Sequence, residues 1–559
     1  MLLRLAKYFP DLKSVLLAIA SAILLILAFP DFDYWFLAWF ALVPLIYAVE
    51  RERASVARSF VTGWLFGTVF FYGTCWWLTF APINYAGFPW WLAYFLLLCV
   101  CLVVGLFPAL FAGILSTLLR RFGAWAYLAA PFVWVFTEFL RYWLTGNTWN
   151  AIGYSQFNGG VALKVATVGG VFLTGAFLLL PSSFLAYFAG NYHRFMGNPK
   201  TAPFYSTFVF SILGWPALTN KSIRQEMWRV PDYDIRLPVV AVVFGALLAV
   251  ILWGILVGPP HDVIVPAKTN VIAIQPNVPM AGLDYQKWEQ LRERQIAAAE
   301  AELRKLRTTN NEQPTTVILP ESPMNFAYND DREFQQYIGD FARRNNVSVL
   351  FNSAEPDVGT TKYFNSAVMV GPDGKEAAQY DKIYLLPFGE AVPRPLEGIL
   401  PGFVGNFAYG REYDILPVGD AKAGVMICFE SHFGQLSREF VRNGADVLIE
   451  MTNDGYLGPT PVLRQHLANA VFRAVETNRP VLRVTNVGIT AYINERGQVL
   501  DEAPTYQEAT RVWSVSKSDG SQTFYVKYGD WFAWLSTMVT VILLGLCILR
   551  RREAAVERG

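Results

Sequence analysis

Three groups able to make and break an acyl bond stand far apart in this sequence: a thiol at Cys428, a carboxylate at Glu321 and an ammonium at Lys382. Cys428 closes the apolar run Ala423 to Ile427 and precedes a polar, helix-capable segment from Ser431 to Val441. That pattern presents one thiol at the C-terminal end of a strand, where open α/β sheets carry their reactive groups. A thiol attacks as thiolate, so it needs a nearby base or positive charge. Glu321 in Leu319-Pro320-Glu321-Ser322-Pro323 offers the first and Lys382 in Tyr380-Asp381-Lys382 the second. Taken alone, Cys428 reads as a core cysteine, since free cysteines are among the most buried residues; its two companion motifs favour the nucleophile. His432 shares a helix face with Cys428 only if a helix begins at the cysteine, and Phe433-Gly434 argue instead for a polar surface histidine. His466 is assigned no role. Four of the five cysteines lie in apolar segments, so no disulfide framework is expected. Cys428 with His432 falls two ligands short of a structural zinc site, and neither metal nor cofactor is expected.

The elements that must position these groups fall into two regimes. Of 559 residues, 53% are hydrophobic and only 16% charged, with a mean hydropathy of +0.30, against about a quarter charged in an ordinary soluble domain. The formal net charge of +1 excludes a global field for nucleic acid. Apolar runs able to cross a bilayer fall at 14–29, 33–49, 58–80, 90–119, 123–143, 163–190, 238–258 and 531–549. The first lacks a small-residue cleavage site and reads as a retained helix, not a signal peptide. Arg4 and Lys7, then Arg51, Arg53 and Arg58, then Arg120 and Arg121, and finally Arg550 to Arg552 mark one side. The alternate connections 30–33, 81–89 and 144–162 have no Lys or Arg, so both termini should be cytoplasmic and the domain after the seventh span outside. The apolar piece Pro203 to Leu218 is read as part of a cytoplasmic insertion at 191–237, not as a span. Glu138 and Arg141 in the fifth span read equally as a functional or a mutually paired couple.

From 266 onward the periodicity changes to alternating strands and helices, the pattern of a layered α/β domain. Strands are expected at 271–274, 316–319, 347–351, 363–370, 375–380, 423–427, 447–451, 480–485 and 489–494. Helices are expected at 284–308, 331–345, 434–443 and 461–477. Strand ends then deliver Glu321, Cys428 and the Asn453-Asp454 pair, where a site would be built.

Three ordered motifs carry a resemblance. Leu-Pro-Glu-Ser at 319–322, Tyr-Asp-Lys-x-x-Leu-x-Pro-Phe-Gly-Glu at 380–390 and Ile-Cys-x-Glu at 427–430 resemble the Glu–Lys–Cys triad of the nitrilase (carbon–nitrogen hydrolase) superfamily. With seven spans upstream and one downstream, the chain is similar to the bacterial apolipoprotein N-acyltransferase family from its first span to its last. Asn365-Ser366-Ala367, Thr452-Asn453-Asp454 and the run from Arg473 to Pro480 are similar to that family too. The resemblance implies a bundle of seven spans at 1–260 and a nitrilase-like α-β-β-α sandwich at 266–520 outside the membrane. An eighth span at 531–549 and a tail at 550–559 would follow. It implies acyl transfer from a phospholipid, such as phosphatidylethanolamine, through a thioester to the α-amine of a diacylated apolipoprotein, at the bacterial inner membrane and by a monomer.

In that scheme Glu321 is the base, Cys428 the nucleophile and Lys382 the charge facing the oxyanion, with Glu390 and Glu430 holding Lys382 and tuning Glu321. Trp149 and Tyr154 in the uncharged loop 146–156, together with Phe429, Asn453, Asp454 and Tyr456, are the candidate substrate contacts. Phe429 and the Tyr456-Leu457 pair depart from the aromatic residues usual in the family. The apolar stretch Pro393 to Ala408 could dip into the interface or pack within the domain. A membrane-tethered amidase, with water as acceptor, would use the same triad.

Overall fold

The computed structural model describes residues 7–196, 268–309, 313–321, 327–387, 389–392 and 407–556. Nearly all of the 191–237 insertion, the seventh span at 238–258 and most of the 393–408 stretch lie outside these residues.

The N-terminal part is helical. Helix α1 (Leu12–Ala28) starts where the Asp11 carboxylate accepts the Ser14 N–H at 2.6 Å, an N-cap that satisfies an otherwise orphaned donor. The second apolar run is not one helix. A 3-10 turn at Trp35–Trp39 gives way to α2 (Val43–Arg51), because Pro44 has no N–H for the carbonyl one turn back. Next come α3 (Val56–Thr74), the short α4 (Phe80–Asn84), α5 (Trp90–Val104) and α6 (Leu106–Phe122). Helices α5 and α6 form one rod broken at Gly105, where Pro108 removes the next bond of the ladder. Gly63 and Gly67, four apart on α3, let it close on α6: a Cβ on Gly67 would sit 2.9 Å from Pro108 Cγ and 3.0 Å from Gly105 Cα. Helix α7 (Trp125–Thr145) carries Glu138 and Arg141, and α8 (Ala166–Met196) kinks at Gly169-Gly170. Among the described residues three stretches are long and apolar enough to cross a membrane: 90–122, 166–190 and 531–549.

Among the described residues the C-terminal part forms two six-stranded sheets. Strands β1 (Thr269–Gln275), β2 (Thr315–Ile318), β3 (Ser348–Pro356), β4 (Tyr363–Val370) and β5 (Glu376–Asp381) stand in that order in the first. Beyond β1 lies β12 (Ala509–Val515). The second sheet runs β6 (Ile415–Val418), β7 (Ala421–Ile427), β8 (Val447–Thr452), β9 (Val481–Thr485), β10 (Ala491–Ile493) and β11 (Val499–Leu500). Side chains alternate along each strand. In β1, Ile272 and Ile274 join a core with Phe334, Phe341 and Leu303, whereas Val271 and Ala273 join the core shared with β7 and β8. The first core lies beneath α9 (Tyr285–Thr308) and α10 (Arg332–Asn345). The second sheet carries α11 (Gly434–Arg442) and α12 (Val462–Thr477). This is the nitrilase-like α/β layering expected from the sequence.

Three strands are additional to that expectation, and each is hard to see for a physical reason. Strand β6 holds Pro417 at the sheet edge, β11 spans two residues, and β12 mixes Thr510, Arg511 and Ser514 into a half-exposed edge. Helix α13 (Phe524–Tyr528) then leads into α14 (Trp531–Val556).

Candidate active site

Four strand ends converge at one end of the sandwich. Strand β2 runs on through Leu319, whose N–H bonds the Leu350 carbonyl at 2.9 Å, and delivers Glu321. Strand β5 delivers Lys382, pinned by its own N–H to the Asn365 carbonyl at 2.9 Å and by its carbonyl to the Gly410 N–H at 2.8 Å. Strand β7, paired with β8 in parallel and β6 antiparallel, delivers Cys428, and β8 delivers Asn453. Glu321 and Lys382 thus come from one sheet and Cys428 from the other.

The charged groups form a tight set. Lys382 Nζ, 1% exposed, lies 2.8 Å from Glu390 Oε1 and 3.8 Å from Glu321 Oε1. The Asn365 amide donates to both carboxylates, at 3.1 Å to Glu321 Oε1 and 2.7 Å to Glu390 Oε1, while its oxygen accepts from Asn352 at 2.7 Å. The Asn453 N–H crosses from the second sheet to Glu321 Oε2 at 3.1 Å. The half-buried Cys428 thiol lies within hydrogen-bonding reach of Glu321. Burial and the Glu321 charge push that thiol well above its ordinary pKa, with Lys382 opposing. Burial also raises Glu321, Lys382 lowering it and Glu390 raising it. Burial works against the Lys382 ammonium, but Glu390 and Glu321 more than offset it and keep it protonated. A protonated thiol, a base of raised pKa and a fixed cation can pass one proton and receive one negative charge.

Residues 21–184 match the family described as apolipoprotein N-acyltransferase N-terminal domain, and residues 285–523 match carbon-nitrogen hydrolase. A protein named apolipoprotein N-acyltransferase from Geobacter metallireducens is 29% identical, the alignment covering 96% of each chain. Namesakes from Thermotoga maritima and Pasteurella multocida are each 27% identical, covering 96% and 97% of this chain and 95% and 97% of theirs. The chain is thus similar to apolipoprotein N-acyltransferases along nearly all of its length. Because the likeness includes the N-terminal helices as well as the sandwich, it does not favour the tethered-amidase reading.

Glu430, whose charge favours the Lys382 ammonium without touching it, also has a structural task. It lies within the 3-10 turn Cys428–His432 that follows β7. Its carboxylate accepts the Tyr380 O–H at 2.8 Å, the Ile383 and Tyr384 N–H groups at 2.7 and 3.0 Å, and the Ile427 N–H at 2.9 Å. It therefore clamps the lysine end of β5 to the nucleophile end of β7, and Glu390 alone of the two holds the ammonium. Burial lifts the Glu430 carboxyl to about 7, against the pull of Lys382 and these donors. Glu430→Gln turns one acceptor oxygen into a donor facing N–H groups, and should cost about 1–3 kcal/mol, read as a lower thermal unfolding midpoint.

His432 is buried, 3% exposed, not at the surface. Its ring stacks on Trp149 with centroids 4.0 Å apart, Nδ1 meets the Phe429 carbonyl at 3.1 Å and Nε2 meets the Asn469 amide at 3.3 Å. Burial and the neighbouring His466 keep this ring neutral. Trp149 is consequently covered on one face, and its indole N–H donates to Gln465 at 2.8 Å. Tyr154 is buried edge-on against Phe472 at 5.0 Å, and Phe429 is buried against His432 and Phe433, so neither opens onto the site as a substrate contact would. Asp454 is 2% exposed and bound to His466 and Arg483, beneath the site. The Asn453 side chain is engaged by Gly455 and Asn486. Tyr456 alone among these candidates is open, 49% exposed, edge-on to Tyr85 at 6.1 Å and within range of the Glu321 and Cys428 charges.

Glu138 and Arg141 each engage the 146–156 loop. Glu138 Oε1 accepts the Ile152 N–H at 3.0 Å, and Arg141 Nη1 donates to the Trp149 carbonyl at 2.7 Å. The sequence pointed to Asn365 only as part of a motif. Its signal lay in the hairpin, where Ser366 pairs with Asp381 and sets Asn365 opposite Lys382. His466, assigned no role, bonds the Cys428 carbonyl at 3.1 Å.

Proposed function

We propose that this chain transfers an acyl chain from a phospholipid, through a thioester on Cys428, to the α-amine of the N-terminal S-diacylglyceryl-cysteine of apolipoproteins. The observation that carries this reading is the convergence of Glu321, Lys382 and Cys428 in a chain similar to apolipoprotein N-acyltransferases over its whole length. Glu321 takes the thiol proton as Sγ attacks the ester carbonyl, and returns it to the departing lysophospholipid oxygen. It then accepts a proton from the incoming amine, which displaces the thiolate. Lys382 faces the oxyanion in both halves, while Glu390 and Asn365 hold it and Glu321 in register. Phosphatidylethanolamine is the proposed donor, and a monomer suffices.

The proposed setting is the bacterial inner membrane, with eight spans, cytoplasmic termini and the sandwich in the periplasm. Exposed Trp90, Phe95, Val103, Val541 and Leu549 on the long helices suit contact with lipid. Tyr456 and Tyr85, exposed and edge-on to each other, suit contact with an acyl chain on its way to Cys428.

Intact-mass measurement of the purified enzyme with phospholipid and no acceptor tests this. The expected result is a gain of one acyl chain, released by hydroxylamine and discharged onto a diacylated lipopeptide. No adduct with any phospholipid, with small amides hydrolysed instead, would overturn it.

The pH dependence of acyl-enzyme formation follows from the two shifted groups. Glu321 acts as base only when ionised, and its pKa is raised, so the rate should climb as pH rises through a value above the ordinary 4.5. Lys382 stays charged across that window, so no falling limb intervenes. Glu321→Gln should remove the climbing limb and slow acylation by about 10²–10⁴-fold.

A further inference from the structure

A second charged cluster lies directly behind the nucleophile, and the proposed acyl transfer leaves it without a task. His466 Nδ1 is 2.7 Å from Asp454 Oδ1, and Nε2 is 3.1 Å from Glu450 Oε1, 3.0 Å from Ser431 Oγ and 3.1 Å from the Cys428 carbonyl. Arg483 bonds Asp454 Oδ2 at 2.8 Å and pairs with Glu450 through its other terminal nitrogen. All four charged side chains are nine-tenths or more buried. Nδ1 faces a carboxylate, and Nε2 faces a carboxylate and a carbonyl beside the Ser431 hydroxyl, surroundings that favour hydrogen on both nitrogens. The ring is a cation, and the two cations and two anions balance.

The consequence for the site comes from peptide geometry. The Cys428–Phe429 peptide is planar and trans, so its C=O and N–H point in opposite directions. Cys428 sits at φ +53°, a conformation unusual for any residue with a side chain, at the start of a 3-10 turn. The first N–H groups of such a turn have no acceptor within it. A carbonyl drawn back to the buried imidazolium therefore turns the Phe429 N–H the other way, toward the mouth where Glu321 and Lys382 stand.

We propose that His466 is a positioning residue: its imidazolium, locked between Asp454 and Glu450, holds the Cys428 carbonyl so that the Phe429 N–H is aimed at the oxyanion. This rests on the acyl-transfer reading above. As the Sγ–C bond forms, the thiol proton goes to Glu321 and the carbonyl π pair moves onto oxygen. There the Phe429 N–H and Lys382 meet it. When the oxyanion collapses, the C–O bond to the lysophospholipid breaks and that oxygen takes the proton back.

The test compares two reactions of one thiol in full-length, detergent-solubilised enzyme. Acylation by phospholipid passes through an oxyanion, whereas alkylation of Cys428 by iodoacetamide needs the thiolate but forms none. His466→Gln should slow acyl-enzyme formation by about 10²-fold or more, in kcat with KM little changed, while Cys428 alkylation, followed on its own peptide, keeps its rate. Parallel loss of both reactions, or acylation at the wild-type rate, would overturn the proposal. Wild type that fails to acylate at all would sink the acyl-transfer reading, and this inference with it. A measurement on the unaltered protein covers a variant that does not fold. Labelling its four histidines with ¹⁵N should show one ring with both nitrogens protonated at pH 8, since Asp454 and Glu450 overcome burial and lift His466 to about 9. Finding every ring neutral at that pH would overturn it.

Discussion

Cys428→Ala enzyme mixed with phospholipid should keep its unmodified mass and lose transfer by a factor on the order of 10⁴–10⁶. Among the described residues at the convergence of β2, β5, β7 and β8 the thiol is the group suited to hold an acyl chain, because Glu321 and Lys382 are committed to each other and to Asn365 and Glu390. Alanine leaves the fold nearly untouched, since the side chain is small and the backbone remains at φ +53° with a Cβ either way. Thermal unfolding should shift little, so lost activity reads as lost chemistry. Cys428→Ser sharpens the point. Its hydroxyl keeps the geometry, but its proton is held far more tightly than a thiol's, beyond what a carboxylate can remove. Serine enzyme that acylated at a rate near wild type would count against Glu321 as sole base.

Lys382→Met should damage both stability and rate. The ammonium is buried between two carboxylates that share one amide donor. Without it, Glu321 and Glu390 face each other as like charges with little water, and losing one partner of a buried pair costs about 3–5 kcal/mol. One carboxylate should then take up a proton, which also removes the base. Acyl-enzyme formation should fall by about 10²–10³-fold from the lost oxyanion charge alone. The double variant Lys382→Met with Glu390→Gln separates the two effects. It removes the excess negative charge, so unfolding should recover toward wild type while acylation stays low. Recovery of both would make Lys382 a structural cation only.

Much of the sandwich was legible because its strands and helices differ in period. Helices expected at 284–308 and 461–477 appear at Tyr285–Thr308 and Val462–Thr477. The cluster of Glu321, Lys382 and Cys428 was legible for another reason: each stands just past the C-terminal end of a strand and inside a motif of its own. What escaped depends on contacts between distant segments. His432 looks like a surface residue from its neighbours Ser431 and Gly434, yet Trp149, far away in sequence, lies flat against it. Glu430 reads as an acid two residues after a nucleophile, and nothing local says that its donors are the backbone of residues 383, 384 and 427. The break in the second apolar run comes at Pro44, inside a stretch apolar enough overall to suggest one span.

Helix α12 shows why the two halves are not separable parts. Gln465 accepts from the indoles of Trp77 and Trp149, at 3.0 and 2.8 Å, and donates to the Thr74 carbonyl at 3.0 Å. Glu476 accepts the Val171 N–H at the kink of α8 at 3.0 Å, and Phe472 packs on Tyr154. A helix apolar or occupied on every side is wrapped by protein on every side. A fragment such as 268–529, cut loose for study in water, would bare that face of α12 and cost Glu476 its Val171 donor. Its expected fate is aggregation on size-exclusion chromatography. A soluble version would need the α12 face rebuilt as a surface, so the N-terminal helices serve this enzyme as one wall of its α/β domain.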